Sequence, residues 1–237
     1  MKKYLIIVLA FVGSFMNEVH ANEAFFAEAD AFFKEYVSNG RIDYARLHES
    51  PKPLEELMEL AASIKVDKAN ASTYQAFWIN AYNLAVIKGI VTNYPIKSPL
   101  DKAGFFDKAK YNLGGVSITL NDIENKLLRA QFNDARVHFV LVCGAIGCPP
   151  IINAAYKPET LENQLQQQTE KALNNPNFIK VEGKSVLVSE IFKWYKEDFV
   201  KKGQTEIDFI NQFRKEKLST SLKLAYYTYN WNVNSKK

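Results

Sequence analysis

Both cysteines of the chain, Cys143 and Cys148, and one of its three histidines, His138, fall in one apolar run, Arg136-Val-His-Phe-Val-Leu-Val-Cys-Gly-Ala-Ile-Gly-Cys-Pro-Pro150. A thiol and an imidazole are the side chains best suited to nucleophilic and proton-transfer chemistry near neutral pH. In an acyl-transfer site Cys143 is the nucleophile and His138 its base. Glu124 orients the imidazole, and the backbone amides beside Gly144 receive an oxyanion. The spacing objects: residues five apart face opposite sides of a continuous strand, so the pair meets only if the strand ends or bulges near Val142. The same two cysteines can instead close a disulfide across four residues, two of them glycine. That bond would contribute about 2 kcal/mol and leave no resting nucleophile. A zinc site would need a second Cys or His pair, and only His48 and the leader's His20 remain, so no metal and no cofactor is expected.

A second group of polar candidates lies in Tyr74-Gln-Ala-Phe-Trp-Ile-Asn-Ala-Tyr-Asn-Leu-Ala-Val-Ile87. Asn80 and Asn83, three apart, share one helix face, and buried amides must find partners. They either tie neighbouring loops to the helix or, with Trp78, form a pocket wall that holds a ligand. Cys148 joins them as a candidate binding residue. The aromatic run Phe192, Trp194, Tyr195 and Phe199 reads as helix core, and Tyr226, Tyr227, Tyr229 and Trp231 as an alternating strand. No Gly-rich phosphate loop, G-x-S-x-G elbow or H-E-x-x-H zinc helix occurs.

The elements that must position these residues follow from periodicity and breakers. A helix is expected over 23–37, ended by Ser38-Asn39-Gly40, and a second from Pro53 to Ser63. A central helix over about 72–90, capped by Ser72, is apolar on nearly all sides and should be buried. Residues 111–120 read as a hairpin turning at Gly114-Gly115. Asn121 then caps a helix with Glu124 at its third position. Val137 to Val142, β-branched and unbroken, reads as a strand buried on both faces. A helix from Pro158 to Leu173, a hairpin around Glu182-Gly183-Lys184, helices Ser189 to Val200 and Glu206 to Lys215, and a strand from Lys223 to Asn230 complete the chain. Helices outnumber strands without regular βαβ alternation. The expectation is an α+β, helix-rich single domain around a small central sheet and a buried helix.

Lys2 and Lys3, the apolar run Tyr4–Val12 and the small residues before Asn22 have the form of a cleaved signal peptide over 1–21. The expected mature protein is one globular domain over 22–237, periplasmic or secreted, with no integral membrane segment after cleavage. Removing Lys2, Lys3 and Glu18 with the leader leaves a net charge of +3 against +4 for the whole chain, which points to no nucleic-acid partner. Two cysteines in an exported chain are compatible with a disulfide.

With these segments in place the chain resembles the bacterial branch of the domain of unknown function 547 family. The resemblance rests on Phe77-Trp-Ile-Asn-Ala-Tyr-Asn83, Tyr111-Asn-Leu-Gly-Gly115, Ile123-Glu124, Val137-His-Phe-Val-Leu-Val-Cys-Gly144 and Cys148-Pro-Pro150. Ile191-Phe-Lys-Trp-Tyr-Lys-Glu-Asp-Phe199 and Tyr229-Asn-Trp-Asn-Val-Asn234 extend it, so it covers about 43–234. It implies Cys143 rather than Cys148 as the functional thiol. The ending departs from the family's usual Tyr-Asp-Trp-Ser-Leu-Asn: Asn230 stands where an acid is usual.

Two functions remain open at this point. One is a cysteine-dependent amide or acyl hydrolase or transferase using Cys143, His138 and Glu124. The other is a non-catalytic envelope module that binds a small molecule or peptide in a pocket stapled by a Cys143–Cys148 disulfide.

Overall fold

The computed structural model describes residues 21–236, so residues 1–20 of the leader read over 1–21 lie outside the described residues. The first described helix, α1, runs through residue 36 and buries Phe25, Phe33 and Tyr36. It ends at a two-residue hairpin, β1 (Val37–Ser38) and β2 (Arg41–Ile42), whose turn uses Asn39 and Gly40 at φ 50° and 72°. Short α2 (Tyr44–Glu49) and α3 (Lys52–Ser63) follow.

The hub of the molecule is α4 (Ala71–Thr92). Its residues from Tyr74 to Val91 are buried, Lys88 excepted. A helix without a polar face has to be enclosed, and α4 packs against α2 and α3, with Phe25 of α1 tilted against Phe77, centroids 5.0 Å apart. The cap is Asn70, whose side chain accepts from the Thr73 amide, rather than the expected Ser72, which lies within the first turn.

The expected hairpin forms as β3 (Lys110–Leu113) and β4 (Val116–Thr119), antiparallel across Gly114-Gly115. It feeds a continuous helical stretch, α5, made of one α turn (Leu120–Asp122), a π-helical segment (Ile123–Arg129) and a closing α turn (Ala130–Phe132). Its cap is Thr119, which accepts from the Asp122 amide. Asn121 is therefore inside the helix, and Glu124 is not the partner in a capping box.

The largest departure concerns Val137–Val142. This run is buried as expected but is not a strand: Ala135–Phe139 is a 3₁₀ turn and an irregular segment follows. Among the described residues no strand pairs with it. Its backbone is satisfied locally, Val140 N–H to the Val137 carbonyl at 3.1 Å, and by the Asn83 side chain of α4. β-branched composition thus reported burial rather than pairing.

The helix expected from Pro158 begins at Leu161, as α6 (Leu161–Leu173). β5 (Ile179–Glu182), β6 (Ser185–Ser189) and β7 (Lys223–Tyr227) make a three-stranded sheet in the order β5-β6-β7, with β7 parallel to β6. Between β6 and β7 the single aromatic helix expected over 189–200 is two short ones, α7 (Ile191–Trp194) and α8 (Lys196–Phe199), followed by α9 (Glu206–Phe213). The molecule is helix-rich α+β, with its strands divided among three small sheets. Among the described residues, no helix is long and apolar enough to cross a membrane.

Candidate functional site

After the 3₁₀ turn the chain crosses α4 so closely that a Cβ on Gly144 (φ 78°) would stand 2.4 Å from the Ile90 side chain. Glycine is required there on both counts. The loop that follows is clamped by the C-terminal segment. Ile146 and Gly147 donate to the carbonyls of Asn232 and Asn230, each at 2.8 Å, and Asn234 donates to Gly144 at 3.0 Å. Inside this clamp Cys143 and Cys148 form a disulfide, S–S 2.10 Å. The Cys143 amide donates to Cys148 Sγ, and the Tyr229 hydroxyl stands 3.0 Å from both sulfurs. Gly147 makes room for the Tyr229 ring, since a Cβ there would meet it at 2.9 Å.

The disulfide lies in the wall of a cavity of about 250 Å³. Its lining comes from distant parts of the chain: Tyr82 of α4, Phe106, Asn121 and Glu124 of α5, His138, Leu141, Ile191, Trp194, Tyr195, Tyr229 and Trp231. All three candidate catalytic residues, Cys143, His138 and Glu124, thus share one cavity with Cys148.

Their arrangement is not that of a thiol–imidazole pair. His138 is buried, with Nε2 2.7 Å from Asp198 Oδ2 and Nδ1 3.9 Å from Glu124 Oε1. Each ring nitrogen therefore faces a carboxylate. The imidazole stacks on Tyr195, centroids 4.1 Å apart, and the Arg129 guanidinium covers the other partner in this stack, 4.9 Å from the Tyr195 centroid. Asp198 also receives Arg129 Nε at 2.6 Å and Lys201 Nζ at 3.2 Å. Burial pushes the Asp198 carboxyl up, but the hydrogen bonds from His138 and Arg129 outweigh it and hold the group well below the usual carboxylate range.

Glu124 is nearly enclosed, its carboxylate beside the hydroxyls of Tyr82 and Tyr195. Burial first, and the Glu124 charge second, raise both tyrosines above their ordinary values; burial alone does most of this at Tyr229. All three hydroxyls remain protonated and can donate at neutral pH. The π-helical turn that carries Glu124 is a rare geometry often found where a side chain must be re-aimed.

Asn80 and Asn83 are not in this cavity. Asn80 donates to the carbonyls of Ala76 and Tyr156 (2.9 and 2.7 Å) and accepts from the Tyr156 amide at 3.0 Å. Asn83 donates to the Val140 carbonyl and accepts from the Val142 amide, at 3.0 and 2.8 Å. Both amides tie loops to α4. Trp78 lines a separate surface cavity beside Tyr74, Gly114 and Leu127. His48 is also elsewhere, with Nδ1 3.2 Å from the Val91 carbonyl.

Sequence reasoning missed Asp198, the closest partner of His138, although it stands three residues after Tyr195 on the same aromatic segment. Glu197 and Asp198, the two acids set between Tyr195 and Phe199, were the available signal. It also assigned Trp194 and Tyr195 to the core. Phe192 and Phe199 are core, fully buried, but Trp194 is 44% exposed and both it and Tyr195 face the cavity. The residue usual as an acid in the family ending, Asn230 here, accepts from the Asn232 amide and is not a partner of His138.

Residues 66–173 match the family model described as "Protein of unknown function, DUF547". The match contains Glu124, His138, Cys143 and Cys148, whereas Trp194, Asp198, Tyr229 and Trp231 lie beyond it. No curated protein and no solved structure matches the chain.

Proposed function

From the premise that residues 66–173 form a DUF547 family domain, we propose that this protein is a ligand-binding module whose cavity is closed on one side by the Cys143–Cys148 disulfide. One observation carries the choice over a cysteine hydrolase: the sulfur that would attack is bonded to Cys148, while both nitrogens of the only histidine in the cavity face carboxylates. A nucleophile needs a free thiolate and a base directed at it, and neither requirement is met. The cavity combines aromatic surface with a few convergent polar groups, the usual makeup of a small-molecule site. The asparagines of α4 and Trp78 serve the scaffold in this reading.

The same reading places the protein outside the cytoplasm, periplasmic or secreted. A basic and apolar leader over 1–21 and a disulfide between the chain's two cysteines both support export. N-terminal sequencing of protein recovered from an exporting host tests it: the expected first residue is near Asn22, and a chain retaining Met1 contradicts export.

Binding itself is tested through the three tryptophans. Trp194 and Trp231 line the cavity and Trp78 does not. On titration with a panel of small fragments, phenol and indole included, the indole N–H resonances of Trp194 and Trp231 should move with a saturating profile while that of Trp78 stays fixed. No saturable shift at either cavity tryptophan overturns the proposal.

A further inference from the structure

We infer that the cavity selects small organic cations, amines or quaternary ammonium groups, an inference that rests on the binding-module reading and names its ligand class. Among the described residues the lining contains one carboxylate, Glu124, one imidazole, His138, and no lysine or arginine. The chain as a whole carries a net charge of +4, so a cavity whose charged group is an acid runs against the average surface. Arg129 and Lys201 are engaged by Asp198, and among the described residues neither forms a salt bridge with Glu124.

Around Glu124 the walls are aromatic. Trp194, Tyr229 and Trp231 meet one another with centroids 4.8–5.7 Å apart, Phe106 adjoins Trp231 at 6.3 Å, and Tyr195, at the junction of α7 and α8 next to Trp194, also lines the cavity. Ring faces carry partial negative charge and attract cations, most strongly where water is excluded. An anion would meet Glu124 and these faces together, both repulsive. A neutral ligand would gain only the apolar contact, whereas a cation adds attraction to the Glu124 carboxylate and to the ring faces. A cavity of about 250 Å³ suits a group of choline size rather than a polymer. The alternative of a sugar platform fits less well, because Tyr229 is tilted 54° and 57° to the two tryptophans and the three rings present no single flat face.

Calorimetric titration of the full, non-reduced protein with choline and with its uncharged isostere 3,3-dimethyl-1-butanol tests the inference. Choline should bind at least about tenfold more tightly than the isostere. Glu124→Gln should erase most of that difference, and Trp194→Leu, at a half-exposed position that tolerates substitution, should weaken choline severalfold while the melting temperature is kept. Equal binding of choline and isostere overturns the cation class. So does choline binding that neither variant changes, since it would then lie elsewhere. If phenol or indole shifts Trp194 and Trp231 but choline does not bind, the class is wrong and the binding module stands. If no probe binds, both fall.

Discussion

A leucine at Asn83 would leave the Val140 carbonyl and the Val142 amide unpartnered inside the core, and one at Asn80 would do the same to Tyr156. Each substitution should lower stability by about 1–3 kcal/mol in chemical denaturation, because a buried polar group stripped of its partner bears its desolvation cost. Ligand affinity measured on the folded fraction should be unchanged, since neither amide reaches the cavity; a stable variant with lost binding would refute that placement. Asp198 gives a pH signature. Its carboxyl is held below the ordinary value in the folded state, so its contribution to stability is complete above the unfolded pKa of about 3.9 and is lost as pH falls toward the folded value. Asp198→Asn should therefore be markedly less stable than the wild type at neutral pH, with the gap narrowing as denaturation midpoints are measured from about pH 5 down to about pH 2. A gap that does not change with pH would mean that Asp198 acts through packing alone. That two amides in an apolar helix need partners was legible from composition. Which carboxylate meets His138 was not, because Asp198 lies sixty residues away in sequence and only the packing of α8 brings it near.

At the level of elements, α4 and the β3–β4 hairpin were readable because their signals are local: an unbroken apolar helix pattern and a Gly-Gly turn. Gly114 shows how the two lock together. Its φ is 61°, and a Cβ there would stand 2.8 Å from the Trp78 ring, while its amide donates to the Ala61 carbonyl of α3. Gly114→Ala should lower stability by roughly 1–3 kcal/mol, through left-handed backbone strain and a clash against a packed core ring. Gly115→Ala, at the same kind of φ but with nothing within 4 Å, should lower it by less. Thermal melts of the two variants decide it, and equal losses would mean that the contact with Trp78 is unimportant. The segment from Val137 to Val142 was misread for a non-local reason. A β-branched run is a strand only where a neighbouring strand offers its backbone, and here Asn83 and the 3₁₀ turn take that place. Helix caps were misplaced for a related cause: Ser72, Asn121 and Pro158 are good opening residues, yet the central helix opens after Asn70, which caps it, and Thr119 and Thr160 precede the other two.

On the scale of the whole molecule, the C-terminal segment closes the site. Residues from Tyr229 to Asn234 clamp the cysteine loop, supply two rings to the cavity and, through Asn234 and Tyr44, join that loop to the N-terminal helices. The gathering of Cys143, Cys148, His138 and Glu124 in one cavity was visible in outline from their residue types. The aromatic wall was not, because Trp194, Tyr229 and Trp231 look like ordinary core residues until the C-terminal segment packs against α7. Because the disulfide fastens a short loop, Cys143→Ala and Cys148→Ala should each lower stability by about 2 kcal/mol, and alike, in non-reducing denaturation. A large loss for one and none for the other would show that the cysteines act separately. The central claim, a closed disulfide at the wall of a binding cavity rather than a cysteine nucleophile, is tested most directly by iodoacetamide labelling of native, non-reduced protein near pH 7, read by intact mass. The account requires no added carbamidomethyl group, and none after unfolding unless reductant is present. A single adduct on Cys143 in the native protein, slowed by His138→Ala, would contradict it.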